Sequence, residues 1–169
     1  MRFRLREFER GDFASVHEYA SDSEVTQHME WGPNSEADTQ SFIDQVLSDR
    51  EQSPRLMYDR AITLADTGEV IGSASIRIRD LKNQNADFGY VLNRRYWGQG
   101  LATEVALELV RFGFEELKLH RIFATCRPDN HASARVLMKA GLMQEGHLKH
   151  TKLIRGVWVD SLLFARVKH

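Results

Sequence analysis

The sequence predicts a single α/β (α+β) domain with helices packed on a mixed sheet, and three observations carry that reading. The hydrophobic period switches along the chain in the order strand, helices, three strands, helix, strand, helix, two strands. Short polar turns separate the three consecutive strands, which makes them an antiparallel meander. The meander ends at Arg95-Tyr96-Trp97-Gly98-Gln99-Gly100-Leu101-Ala102-Thr103, a glycine loop that opens the best-defined amphipathic helix of the chain.

Taken in order, Phe3 and Leu5 alternate with Arg2, Arg4 and Arg6, the period-2 pattern of a half-buried first strand. Gly11-Asp12 stops it and caps a helix from Phe13 to about Ala20, with Val16 and Tyr19 on one face. Glu24 to Met29 is expected to form a short second helical piece, followed by a turn at Trp31-Gly32-Pro33. Ser35 and Asp38 have capping-box spacing and open a helix that runs to about Arg50, with Phe42, Ile43, Val46 and Leu47 inward. Met57 to Leu64, Val70 to Arg79 and Ala86 to Leu92 are the meander, turned at Asp66-Thr67-Gly68 and Lys82-Asn83-Gln84-Asn85. In the helix after Gly100, Leu101, Val105, Leu109 and Phe112 form the apolar stripe, and Glu108, Arg111 and Glu115 face away at helix-neighbour spacings. Arg121 to Cys126 is a strand, and Pro128-Asp129-Asn130 starts a helix that ends at Gly141. Leu142 to Leu153 and Val157 to Val167 are two final strands joined around Arg155-Gly156.

Composition narrows the function. With 169 residues the chain is read as one domain, 1–169. Its 23 basic and 24 acidic residues give a formal charge of −1, so no global field favours nucleic acid or an anionic membrane. No apolar run approaches the ~18 residues of a membrane span, and no export signal is visible, so the expected compartment is the cytoplasm. The single Cys126 excludes an intramolecular disulfide and, inside an apolar strand, is read as core. The 7 histidines show no ligand spacing, so no metal is expected.

The glycine loop is the strongest chemical signal. Two glycines one residue apart let the backbone approach an anion, and the first N–H groups of the following helix have no internal partner and point at it. A dinucleotide-binding fingerprint would place a third glycine where Thr103 stands, and a P-loop would need a Gly-Lys-Ser/Thr run where Gly100-Leu101-Ala102 stands. Both rivals fail, which leaves a phosphate or pyrophosphate cradle of another kind.

Together with Asp87-Phe88-Gly89-Tyr90-Val91-Leu92, His120-Arg121-Ile122, Pro128-Asp129-Asn130-His131-Ala132-Ser133, Lys139-Ala140-Gly141-Leu142 and Glu145-Gly146, this loop resembles the GNAT N-acetyltransferase family. The detail resembles its RimJ/RimL-type branch of ribosomal-protein N-terminal acetyltransferases. The resemblance spans nearly the whole chain and implies a mixed, mostly antiparallel seven-stranded sheet with helices on both faces. It implies acetyl-CoA as co-substrate and direct transfer to an amine acceptor, either a protein N-terminus such as that of a ribosomal protein or a small amine. A homodimer is compatible with it. Trp97, Gly98, Gln99, Gly100, Leu101, Ala102 and Thr103 would hold the pyrophosphate, with Arg95 adding charge. Pantetheine would lie along Tyr90, Val91 and Leu92 as a substitute strand, and a backbone N–H near Leu92 would face the thioester carbonyl. Asn130 would contact pantetheine, and Ser133 would hydrogen-bond the leaving thiolate, because Leu137 stands where many relatives carry a tyrosine. Locally, Asn130 and Ser133 read equally well as a helix cap and a packing residue. Asp87 would act as general base, or else order a strand end or hold a substrate ammonium. Glu145 is a second acidic candidate, though its place in the chain suits a strand turn. Met29, Trp31 and Tyr58 are candidates for an acceptor pocket. A non-catalytic acyl-CoA-binding module is the alternative reading.

Overall fold

Alternation and turn chemistry produce one seven-stranded sheet. A computed structural model describes residues 1–169. The strands are β1 (Phe3–Arg6), β2 (Met57–Leu64), β3 (Val70–Asp80), β4 (Asn85–Leu92), β5 (Arg121–Cys126), β6 (Met143–Ile154) and β7 (Val157–Val167). Their lateral order is β1-β2-β3-β4-β5-β7-β6, and every neighbouring pair is antiparallel except β4 with β5. The helices are α1 (Phe13–Ala20), α2 (Glu36–Arg50), α3 (Leu101–Glu115) and α4 (His131–Lys139). No helix is long and apolar enough to cross a membrane.

A parallel pair cannot be closed by a tight turn, so β4 and β5 need a crossover, and α3 supplies it. The pair is short: Asn85 faces Arg121, Ala86 faces Ile122, Asp87 faces Phe123, and there the pairing stops. From Phe88 to Leu92, β4 stays paired to β3 on one side, from Ile76↔Phe88 to Gly72↔Leu92, and has no strand partner on the other.

Helices cover both faces. On one, Leu101, Val105, Ala106, Leu109 and Val110 of α3 pack with Ile62, Ala74, Ile76, Phe88 and Ile122 of the sheet, and Leu137 of α4 joins them. Gly113 lets α3 approach β5, since a Cβ there would collide with Ile122 Cδ1. On the other face, Val16 and Tyr19 of α1 and Ile43 and Val46 of α2 pack over Ala61, Val70 and Val91. The Ser35/Asp38 capping box forms in both directions, with Asp38 N–H donating to Ser35 Oγ at 3.1 Å and Ser35 N–H to Asp38 Oδ2 at 2.9 Å.

Two local expectations are corrected. Residues 24–29 are turns, not a helix: Thr26 N–H reaches back to Asp22 O and Met29 N–H to Thr26 O, without a continuing ladder. Asp12 does not cap α1 with its side chain; its carboxylate accepts Glu9 N–H and N–H groups from Arg6 Nη1 and Nη2, closing a 3₁₀ turn ahead of the helix.

Gly72 sits opposite Leu92, where an added Cβ would collide with the Val91 carbonyl oxygen. Gly72→Ala is therefore expected to push β4 away from β3 and destabilise the protein by about 2–3 kcal/mol in urea unfolding.

Candidate active site

The gap where β4 and β5 part is the centre of the site. Just past it, Asn93 caps a 3₁₀ turn by accepting Arg95 N–H at 3.1 Å, and the chain enters the glycine loop. Gly98 and Gly100 lie at φ +70° and +80°, the left-handed region where a side chain is strained. Gly100 is the N-cap of α3 and offers no side chain to fill the helix end. The N–H groups of Gly98, Gln99, Gly100, Leu101, Ala102 and Thr103 have no hydrogen-bond partner in the protein. These six donors at a positive helix end fit a pyrophosphate.

Arg2 fixes the loop from β1's end of the chain, a role that sequence reasoning missed. Its Nη2 donates to Gln99 O at 2.8 Å and its Nε to Glu104 Oε1 at 3.1 Å, which also neutralises the acid in the first turn of α3. Arg95 is placed elsewhere than expected. Its Nη2 lies 2.9 Å from Glu18 Oε1 and 3.0 Å from Glu69 Oε1, so its charge is already matched. Gln99 turns its side-chain amide back onto Arg95 O at 3.1 Å. The half-exposed Trp97 closes the loop against the strand, its indole N–H donating to Leu92 O at 2.9 Å.

Two cavities meet at this gap. One, of about 500 Å³, is bordered by Tyr90, Val91, Leu92, Trp97, Gly98, Gly100, Leu101, Ala102, Asn130 and Ser133. It gathers most of the expected cofactor residues but not Arg95, Gln99 or Thr103. The other, of about 1210 Å³, lies over the α1/α2 face of β2, β3 and β4, and includes Met29 and Trp31 together with Asp59, Asp87 and Cys126. Tyr58 is on the opposite face, its ring 5.9 Å from that of Phe112, so it takes no part. Tyr90, Val91, Asn130 and Ser133 border both cavities.

At that junction Tyr90 Oη stands 3.4 Å from Ser133 Oγ, the outer limit of a hydrogen bond. Burial pushes the Tyr90 phenol up, so it keeps its proton at neutral pH. Burial likewise pushes the Cys126 thiol up, which suits a core residue and not a nucleophile. Asn130 does cap α4, its Oδ1 accepting Ser133 N–H at 3.2 Å, and this bond fixes where Ser133 sits. Glu145 is engaged outside the site by Arg121, with Nη1 to Oε1 at 3.1 Å. No group of three His, Cys, Asp or Glu side chains could hold a metal.

The carboxylates of the larger cavity differ sharply. Asp87 is gripped by Arg79, Nε to Oδ1 at 2.5 Å and Nη2 to Oδ2 at 3.2 Å. Asp59, on β2, is only 7% exposed and has neither a hydrogen-bond donor nor a cation in contact. Burial, reinforced by the charge of Asp49, pushes it up to about 6. The alternation of β2 contains an unremarkable Asp at this position, so only the tertiary structure singles it out.

The comparisons with known proteins agree with this geometry. The family described as the acetyltransferase (GNAT) domain matches residues 2–143. The uncharacterized N-acetyltransferase YnaD of Bacillus subtilis (strain 168) is 33% identical over 165 residues, 97% of this chain and 92% of that protein. The chain belongs to the GNAT acetyltransferase family. It is accordingly an acetyltransferase enzyme, and its fold superimposes on a GNAT acetyltransferase of Bacillus anthracis with a TM-score of 0.87 at 31% identity, covering 99% and 95% of the two chains. The ribosomal-protein-serine acetyltransferase of Escherichia coli (strain K12) is 28% identical over 110 residues, 65% of this chain and 62% of that one. The fold also matches a spermidine N-acetyltransferase of Vibrio cholerae, solved with CoA and spermine, with a TM-score of 0.84 at 19% identity over 98% and 95% of the chains.

The stability cost of Asp59 is open to direct measurement. Its folded pKa of about 6 lies above the unfolded value near 3.9, so the native state binds the proton more tightly and stability falls as pH rises through that window. Asp59→Asn is expected to raise stability at pH 7 by up to about 3 kcal/mol. The gain should vanish below about pH 4, where Asp59 is protonated in both states, as read by thermal or urea unfolding across pH.

Proposed function

We propose that this protein transfers an acetyl group from acetyl-CoA directly to a primary amine in a ternary complex. The observation that carries the reading is the junction itself: a groove bordered by the free N–H donors of Gly98, Gly100, Leu101 and Ala102 meets a separate large cavity along a shared wall that holds the Tyr90–Ser133 pair. One substrate can enter from each side and the two can meet along that shared wall.

In this reading Gly98, Gly100 and the first turn of α3 hold the pyrophosphate by backbone N–H groups, with Arg2 stiffening the loop and Arg95 serving the fold. The unpaired edge of Phe88–Leu92 offers main-chain groups to the pantetheine as a strand partner would. A backbone N–H near Leu92 would stabilise charge on the carbonyl oxygen, usually the largest single contribution in acyl transfer. Acetyl-CoA supplies an activated thioester. Ser133, backed by the protonated Tyr90, supplies the hydrogen bond and proton that the departing sulfur needs. The amine enters through the larger cavity, whose rim carries Met29 and Trp31. The RimJ/RimL-type likeness and the Escherichia coli relative favour a protein N-terminal α-amine as acceptor; the spermidine enzyme keeps a small polyamine as the second candidate.

The test is to mix the protein with acetyl-CoA and Ala- or Ser-initiated peptides, polyamines or amino acids, and to follow free thiol. Release is expected with at least one acceptor. No release from any of them, while acetyl-CoA still raises the melting temperature, would leave only a binding module. Ser133→Ala should lower kcat about 100-fold with acetyl-CoA affinity retained. Gly100→Leu, strained at φ +80°, should weaken acetyl-CoA binding more than tenfold by calorimetry.

A further inference from the structure

An acceptor amine arrives at neutral pH as an ammonium, which has no lone pair for attack, so a proton must leave it. The α1/α2 face of the sheet holds one row suited to carry that proton. Strand register sets Asp59 of β2 directly beside Ser75 of β3, and Ser75 directly beside Gly89 of β4. At the ~4.8 Å strand spacing the row is about 10 Å wide and ends at the strand whose far edge is open. Its floor is small and polar. Gly89 leaves free the space above Ser75, whose Oγ would lie 3.9 Å from a Cβ built there. All three residues border the larger cavity. The buried Tyr19 and the hydroxyl-bearing Ser73 border the same cavity and add further polar groups to that wall.

We infer that Asp59 is the proton sink for the acceptor amine, acting through Ser75 and bound water and not in contact with the reacting atoms. This rests on the acyl-transfer reading above. The nitrogen gives up two protons in all. The first passes along the row to the Asp59 carboxylate and on to solvent. The neutral amine's lone pair then forms the N–C bond, and the C–S bond breaks with its electron pair on sulfur. The second proton leaves nitrogen and the sulfur gains one from the Ser133–Tyr90 pair, which the departing proton restores. The products are an N-acetyl amide, free thiol and one proton released.

The surroundings suit a base that titrates near neutrality. Asp49 of α2 and Glu7 after β1 push the proton on, while Arg77 of β3 and Arg55 ahead of β2 pull it off. Arg55 is itself engaged by Glu7, Nη1 to Oε1 at 2.8 Å. Tyr19 of α1 is neutral there, its phenol held up by burial. Asp87, the carboxylate that the sequence singled out, has both oxygens occupied by Arg79.

The experiment follows thiol release from pH 5 to 9, using the fastest acceptor among an Ala-initiated peptide, a Ser-initiated peptide and spermidine. Wild-type kcat should rise with a midpoint near 6. Asp59→Asn should lose that limb and about 100-fold in kcat, with the acceptor KM and acetyl-CoA affinity changed less than threefold. Asp59→Glu should restore the limb, which also covers the case of a poorly folded Asn variant. An Asn variant that keeps the limb, or that raises KM with kcat intact, overturns the assignment, the latter making Asp59 an anchor for a second cation. Loss of the limb in Asp87→Asn and not in Asp59→Asn overturns it as well. Wild-type silence toward all three acceptors with acetyl-CoA still bound sinks the acyl-transfer reading, and the proton sink with it. Wild-type turnover with an unaffected limb in Asp59→Asn sinks the sink alone.

Discussion

The structure depends on a pairing that stops early. β4 and β5 are held together for three residue pairs and then separate, while β4 continues with β3 for five more residues. A sheet edge with unmet main-chain groups is normally a liability that folds cover or blunt. Here it is enclosed by the surrounding elements: α3 leaves from the end of β4, α4 leaves from the end of β5, and the two diverging strands form the walls of a slot. The constraint behind the slot is the parallel pair. Parallel neighbours must be joined by a crossover, and placing α3 in it brings a bare helix N-terminus beside the open edge. One topological choice thus supplies both an anion cradle and an extended-chain binding edge.

Close packing keeps that choice in place. Gly72 admits the Val91 carbonyl, and Gly113 admits Ile122. Each glycine removes a side chain where two backbones or a helix and a strand must touch, one at the start of the slot and one at its base. The arginines around the loop are matched: Arg95 by Glu18 and Glu69, Arg2 by Glu104, Arg94 by Asp22 and Glu24. These exposed pairs add little stability each. Their effect is to leave the backbone N–H groups as the unspent positive character of the loop, which makes the cradle directional and not merely basic.

Much of this was legible in the residue order. The period switches located all seven strands to within a residue or two, because alternation and turn chemistry are local. Gly98 and Gly100 announced the loop, since their need for a left-handed backbone is a property of glycine alone. What failed was what depends on partners distant in sequence. Glu24–Met29 reads as helical, yet its carbonyls serve Arg155, which donates to Thr26 O at 3.1 Å and Met29 O at 3.3 Å across the molecule. Arg95 looked like a phosphate ligand because Glu18 and Glu69 lie far from it in the chain. For Asn130 the local reading as a helix cap holds. It caps α4, and by capping it sets Ser133 at the junction of the cavities.

Asp59 marks where local reading ends in principle. Nothing in Tyr58-Asp59-Arg60 separates it from an ordinary polar position of a half-buried strand. Its character arises from burial in the folded protein, which removes water without supplying a hydrogen-bond donor, and from α2, which brings Asp49 near. A buried carboxylate without a donor destabilises the fold at neutral pH, and a neighbouring like charge deepens that cost. Sites held against their own stability are where chemistry tends to reside. Asp87 shows the opposite economy: its arginine makes it a comfortable structural ion pair. Asp59 and Asp87 border the same cavity, and of these two the one the fold leaves without a partner is the one able to take up a proton.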